Sequence, residues 1–309
     1  MSEKDISHII QPIDRELLKS ELTADKLVRK TNKLDNEVYI INHHNSPNVM
    51  QEIGRLRELT FTLAGGGTGQ PVDIDSKDTS ENCYQQLIVY SPEDEEITGG
   101  YRFFDCAKSV DPQQKELSTA HYFNFSEQFV KEYLPYSIEL GRSWVNPSFQ
   151  PSVNPRKGLF ALDNLWDGLG GIVVKHPHMK YFFGKVTMYT SFNDEAKRAV
   201  LGFMKTFFPD KEGLAWPINP IYERVENHEI VSQVKDLDFK EGLKVLQKYC
   251  REREENVPPL INNYMQLSPS MMSFGTAQNQ EFGGVEETGI LISLADIYDF
   301  KKERHLQGL

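Results

Sequence analysis

Residues 136–145 read YSIELGRSWV, and here the residue types and their spacing offer the clearest footing for chemistry. Period-two alternation predicts a strand with Tyr136, Ile138, Leu140, Arg142 and Trp144 on one face and Ser137, Glu139, Gly141, Ser143 and Val145 on the other. The second face is small and polar and carries a single carboxylate, Glu139. A basic loop with Arg156, Lys157 and Gly158 follows, then a helix over about 159–174 and an apolar strand, YFFGKVTMY, at 181–189. Backbone N–H groups at a helix start hold phosphate, and a pantetheine arm could lie between the two strands, so the arrangement suits a phosphate-bearing thioester. The same order of elements is also that of a generic strand–loop–helix unit.

Other patterns offer less. Asp73-x-Asp75-x-Lys77-Asp78 resembles the start of a calcium loop, but Lys77 stands where an oxygen ligand is needed and Asp78 where the turn glycine belongs. The glycine run 65–69 lacks the Gly-Lys-Ser/Thr of a phosphate loop and reads as a helix stop. His176-Pro177-His178 is too short for zinc ligation, and no metal site is expected. No Gly-x-Ser-x-Gly elbow is present, and Cys83, Cys106 and Cys250 have no motif around them, so covalent catalysis has no support. Their odd number and wide spacing fit a reducing, cytosolic setting. The 34 basic residues against 45 acidic, a net charge of −11, argue against nucleic acid as a partner. An N-terminus without an apolar signal core, and the lack of any run of about 18 apolar residues, predict neither a leader nor a membrane span.

Elements must hold these residues in place. Residues 12–29 read as two helical pieces, the second restarting at Leu27 and Val28, and residues 37–42 as a strand. Ser46 as N-cap and Pro47 at the first position open a helix whose stripe is Val49, Ile53, Leu56, Leu59 and Leu63, leaving Arg55, Arg57 and Glu58 elsewhere on its surface. Strands at 84–90 and 96–104 form a hairpin, and an aromatic helix is expected around 121–133. A helix runs from 194 to about 208. The segment 209–256 is charged and helical in its second half, and strands near 270–276 and 288–295 close the chain.

The runs EIGRLRELTF at 52–61, GGGTG, DIDSKD, TGGYRFF at 98–104, IELGRSWV at 138–145, LDNLWDGLGGIV at 162–173 and YFFGKVTMY, in this order, resemble the acyl-carrier-protein-dependent N-acyltransferases that make lyso-ornithine and lyso-glycine lipids. That is a haemolysin-like branch of the GNAT superfamily, related to the acyl-homoserine-lactone synthases. The resemblance is strong over about 46–208 and weaker in the closing strands. It implies an α/β, GNAT-like fold with a mixed, mostly antiparallel central sheet flanked by helices. An N-terminal arm (1–45), a core (46–208), a helical insert (209–256) and closing strands (257–309) would make one extended domain. It further implies transfer of a long, 3-hydroxylated acyl chain from an acyl-carrier-protein 4′-phosphopantetheine thioester to the amine of a small amino acid, glycine first and ornithine second, with no bound cofactor.

The resemblance also assigns residues. Glu139 matches the family's base, needed because an α-ammonium group is mostly protonated at neutral pH. A bulge near Gly141, Arg142 and Ser143 would present backbone N–H groups to the oxyanion. Arg55, Arg57, Asp75, Asp78 and Arg102 match a charged cluster that either binds the acceptor or forms a buried ion-pair network, and Glu139 has the alternative of a structural ion pair. Arg156, Lys157 and Gly158 fall at the donor's phosphate, but the pyrophosphate signature is not intact there, which favours a carrier-bound donor over free coenzyme A. Residues 151–211 hold nine basic residues against five acidic, a net of +4, where an acidic carrier protein would dock. The expected place is cytoplasmic, with a peripheral position at the inner membrane surface. A coenzyme A-dependent N-acetyltransferase and a non-catalytic acyl- or carrier-binding module are the rival readings.

Overall fold

Helix-forming and strand-forming runs alternate along the chain. The computed structural model describes residues 4–109, 111, 115–221 and 225–306. In chain order its principal elements are α1 (Arg15–Glu21), β1 (Leu27–Lys30), β2 (Glu37–Ile41), α2 (Pro47–Ala64), α3 (Ser76–Thr79), β3 (Gln85–Ser91), β4 (Glu96–Asp105), β5 (Phe123–Phe125), β6 (Ser137–Val145), α4 (Pro155–Lys175), β7 (Tyr181–Met188), α5 (Asp194–Phe207), β8 (Ala215–Pro217), α6 (Glu229–Val234), α7 (Phe239–Arg251), α8 (Pro259–Met265), β9 (Met272–Asn279), β10 (Val285–Ser293) and α9 (Asp299–Leu306). They fall into two compact units, one of residues 1–108, 138–179 and 299–309, the other of residues 109–137 and 180–298.

In the first unit β1, β2, β3, β4 and β6 pair antiparallel in that order. β3 and β4 are buried along almost their whole length, between helices on both faces. On one face α4 lies close because Gly168 has no side chain: a Cβ there would stand 2.7 Å from Leu87 Cδ2. On the other face α2 is buried nearly all round, and Arg57 and Glu58, expected on the helix surface, are fully buried. The hydrophobic stripe misses this because these charges find partners inside. Ser46 does not cap α2 with its side chain; its hydroxyl accepts from Lys26 Nζ at 3.1 Å. α9 docks on α4 through His305 Nδ1 and Asp167 Oδ1, 2.8 Å apart, and through Arg304 and Asp163.

Leu27 and Val28, expected in a helix, form β1 instead. Pairing with β2 and the seating of Val28 against Gly171, where a Cβ would come within 2.6 Å, outweigh local helix propensity. The second unit is a three-stranded antiparallel sheet, β7–β10–β9, with α5 to α8 and a small β5–β8 ribbon. Its aromatic stretch is not one helix: β5 is followed by a single π-helical turn at Phe129–Tyr133, held by ring contacts of Phe129 with Phe125, Phe183 and Phe274. The fold is α/β and GNAT-like, with antiparallel sheets flanked by helices.

Candidate active site

β6 loses its register against β4 at one place. Gly141 stands opposite Arg102, but Trp144 stands opposite Gly100, so Arg142 and Ser143 together face Tyr101. β4 keeps a constant register with β3 over the same residues, which puts the extra residue in β6. Arg142 has φ 46°, the left-handed region that costs a residue with a Cβ on the order of 1 kcal/mol. Two consequences follow. The bulge takes the backbone N–H groups of this turn out of the regular ladder. It also reverses the alternation beyond it: Gly100 shares the Arg102 face of β4, and Trp144 Nε1 lies 3.2 Å from where a Gly100 Cβ would stand. Trp144 therefore lies on the Glu139 face and Ser143 on the opposite one, contrary to simple period-two spacing. Over Gly141 there is open space, with no atom within 4 Å of the position a Cβ would take.

Glu139 is buried opposite Phe104, and its carboxylate accepts a short hydrogen bond from the Tyr84 hydroxyl. The Tyr84 ring stacks on Phe104, with centroids 4.9 Å apart, and the Arg102 guanidinium lies 5.0 Å from its centroid. Cys106, a buried neighbour, has its thiol pushed well above the usual range by burial and then by the Glu139 charge, so it is no thiolate nucleophile at neutral pH.

A network of arginines and aspartates adjoins this pair. Arg57 Nε meets Asp73 Oδ2 at 3.1 Å and its Nη atoms lie 3.4 Å from Asp78. Arg102 Nη1 donates to Asp75 at 2.7 Å and Asp78 at 3.2 Å, and Arg142 Nε lies 2.8 Å from Asp73 Oδ2. Gln86 donates to Asp78 Oδ1 at 2.9 Å, and Arg102 Nε has no hydrogen-bond partner. Burial alone would push Asp73 up, but Arg142, Arg57 and Arg102 outweigh it and hold its carboxyl below the usual range. Asp75 is likewise held low, against burial, chiefly by Arg102. Arg57 and Arg102 are raised in turn by the aspartates despite their burial. Asp75 and Asp78 also form the capping box of α3, which explains the DIDSKD spacing without a cation.

The structure thus brings Arg57, Asp75, Asp78, Arg102, Glu139, Gly141 and Arg142 together. Arg55 stands apart, bound to Glu52 on its own helix at 2.5 Å. Lys157 is tied to both Asp94 oxygens, at 2.6 and 2.7 Å, and its backbone N–H is taken by the Asn154 cap. A Cβ on Gly158 would stand 2.3 Å from Pro151 N, so this glycine serves close packing of the preceding turn. Arg156, Lys157 and Gly158, expected in a loop, lie instead in the first turn of α4, which Asn154 caps and Pro155 opens, and of the three Arg156 is the one exposed to solvent. Tyr84, Asp73 and Gln86 join the site without having been singled out for it. Tyr84, the residue just before β3, and Gln86 on it share one parity, the Arg102 face, and Asp73 begins the acidic run set aside as a failed calcium loop. The Gly65–Gly69 turn wraps the buried Glu58 carboxylate, which accepts from Thr68 N at 2.9 Å and Gly69 N at 2.8 Å. Among the described residues no group of His, Cys, Asp and Glu side chains could hold a metal ion.

A mostly antiparallel arrangement of strands flanked by helices, with one strand bulged, fits a GNAT-type fold. The acetyltransferase (GNAT) domain family matches residues 56–156. A glycine N(alpha)-acyltransferase of Bacteroides thetaiotaomicron is 51% identical over 307 residues, spanning 98% of this chain and 90% of that enzyme. One of Phocaeicola vulgatus is 50% identical over 305 residues, spanning 98% and 94%. A solved CoA-dependent acyl-homoserine lactone synthase, MesI, aligns over 87% of this chain and 94% of its own at 10% identity, with a TM-score of 0.35. The chain belongs to the family of the two glycine N(alpha)-acyltransferases and is an N-acyltransferase.

Proposed function

We propose that this enzyme moves a long, 3-hydroxylated acyl group from an acyl-carrier-protein thioester to the α-amine of glycine, giving a lyso-aminolipid. The observation that carries the reading is the near full-length identity to two enzymes named for glycine. In the reaction the deprotonated amine attacks the thioester carbonyl, the carbon–sulfur bond breaks, and the proton lost by nitrogen passes through Glu139 to the departing thiolate. Arg142 and Ser143 N–H groups meet the oxyanion, a kind of donor worth roughly 3 kcal/mol each. The open space over Gly141, on the Glu139 face, gives the reacting groups room. A carrier-bound donor is supported by the poverty of free cations at the start of α4. With Lys157 held by Asp94, Arg156 suits one phosphodiester better than a pyrophosphate. The arginine–aspartate network serves as the rigid floor of the site. The reading places the enzyme in the cytoplasm beside its carrier protein, delivering product to the inner membrane surface; no described helix is long and apolar enough to cross a membrane.

The test is direct. Purified protein is given glycine or ornithine with matched acyl-carrier-protein and acyl-coenzyme A thioesters, and products are read by mass spectrometry. Acylglycine formed mainly from the carrier-bound donor is expected. Preference for ornithine, or equal kcat/KM with both donors, overturns the corresponding part.

A further inference from the structure

The bulge in β6 is not explained by its own residues. Position 142 needs a left-handed backbone, yet it is an arginine, while the adjacent Gly141 has an ordinary negative or extended φ. A residue with a Cβ stays at positive φ only where its surroundings over-determine it. The surroundings here include Asp73. Its carboxylate accepts from Arg142 Nη2 at Oδ1, 3.2 Å, and pairs by charge with Nε, 2.8 Å from Oδ2, and it is almost wholly buried. Asp73 is itself fixed. Its backbone N–H donates to Gly54 O of α2 at 3.0 Å, and Oδ2 also receives Arg57 Nε at 3.1 Å. Gly54 makes that approach feasible, since a Cβ there would lie 2.6 Å from Ile74 Cγ1. A continuous rigid path therefore runs from α2 through Asp73 to the side chain, and hence the backbone, of Arg142.

We infer that Asp73 is a positioning residue of the acyl-transfer site: it holds Arg142 in the left-handed conformation and so keeps the bulge, and its N–H groups, in place. The inference rests on the acyl-transfer reading of the bulge but is separable from it. Its rival is that the Arg142 side chain serves for its charge alone, for instance toward a substrate carboxylate.

The two differ in how alanine and glycine behave at position 142. Neither can reach Asp73, but only glycine adopts a positive φ without cost. With a positioning role, Arg142→Ala lowers kcat by roughly 10²-fold, the scale of a lost oxyanion donor, with KM for both substrates little changed. Arg142→Gly retains at least about ten times more activity than Arg142→Ala. Asp73→Asn behaves like Arg142→Ala, yet adds no further loss in the R142G background. Equal losses for Ala and Gly, or an undiminished effect of Asp73→Asn in that background, overturn the inference. If Asp73→Asn does not fold, the Ala and Gly comparison alone decides, since it leaves Asp73 paired with Arg57. Crystal structures of the wild type and Asp73→Asn give φ at residue 142 without reference to activity: a positive φ kept in Asp73→Asn overturns the inference. Absence of any acyl transfer by the wild type overturns the functional reading instead.

Discussion

Tyr84 sets what Glu139 can do, because a buried polar side chain needs a hydrogen-bond partner, and the Tyr84 hydroxyl supplies one. Glu139→Gln keeps the shape and the Tyr84 contact but cannot accept a proton, so kcat should fall by roughly 10²–10⁴ with thermal stability nearly unchanged. Tyr84→Phe leaves the carboxylate without its hydroxyl, which should cost about 1–3 kcal/mol of stability as well as activity. Steady-state kinetics beside thermal melts separates the two, and wild-type turnover in Glu139→Gln would dismiss this base. Gly141 offers a cleaner probe of room. Open space surrounds its would-be Cβ, so Gly141→Val should fold normally and lose activity by filling the cleft. A folded variant with wild-type kcat/KM would show that substrate does not pass there. The aspartates of the network predict a pH dependence whose sign can be worked out. Asp73 and Asp75 are lowered in the folded state, so the stability they contribute is fully present above the unfolded value near about 4 and is lost as pH falls through the lowered values. Melting temperature should thus drop below about pH 4, and less steeply in Asp75→Asn; the same acid slope in both would refute the assignment.

At the level of elements, the loop between α2 and α3 carries the burden of placing Asp73 and Asp75. Its seat is Gly54, and Gly54→Ala drives a Cβ to 2.6 Å from Ile74 and 3.1 Å from Val72, which should cost about 1–3 kcal/mol by overpacking. Loss of activity should accompany the loss of stability measured in denaturant, because the same displacement moves Asp73; a stable variant with reduced melting cooperativity only would contradict the link. Sequence spacing places most of the framework: β3 and β4 as a hairpin, β6 with Glu139 on it, and α4 and β7 after it. What it does not place has physical causes. A hydrophobic stripe reads α2 as one-sided, whereas Arg57 and Glu58 are buried by partners that lie outside the helix, Asp73 and Asp78 for the first and the Thr68–Gly69 turn for the second. Period-two alternation carries Trp144 to the wrong face because a bulge held by Asp73, 69 residues earlier, adds one residue to β6. Leu27 and Val28 look helical until Gly171 offers Val28 a seat. Tyr84 has no local mark, since its meaning lies in the register of β3 against β4 and of β4 against β6.

For the whole molecule the governing quantity is its charge. At −11 it would repel the proposed acidic carrier protein on average, so the proposed encounter needs a local positive region near the site. Within 151–211 the basic residues do not act alike. Lys157 is spent on Asp94, and Arg156 and Lys175 sit in the first and last turns of α4, about 28 Å apart at 1.5 Å per residue. Arg156 lies at the end that follows directly from β6 and its bulge, whereas Lys175 lies at the far end. Charge reversal at Arg156 should therefore slow association with the acyl carrier protein and flatten its dependence on ionic strength. Lys175→Glu should leave both nearly as they are. Both residues are exposed, so each change should shift folding stability by no more than about 0.5 kcal/mol. Lys157→Met should do the reverse, loosening the tie between α4 and the β3–β4 turn with less effect on the salt slope. Stopped-flow association rates at several salt concentrations decide the matter. Equal slopes for Arg156→Glu and the wild type would place the carrier away from the α4 start and return Arg156 to ordinary solvated surface.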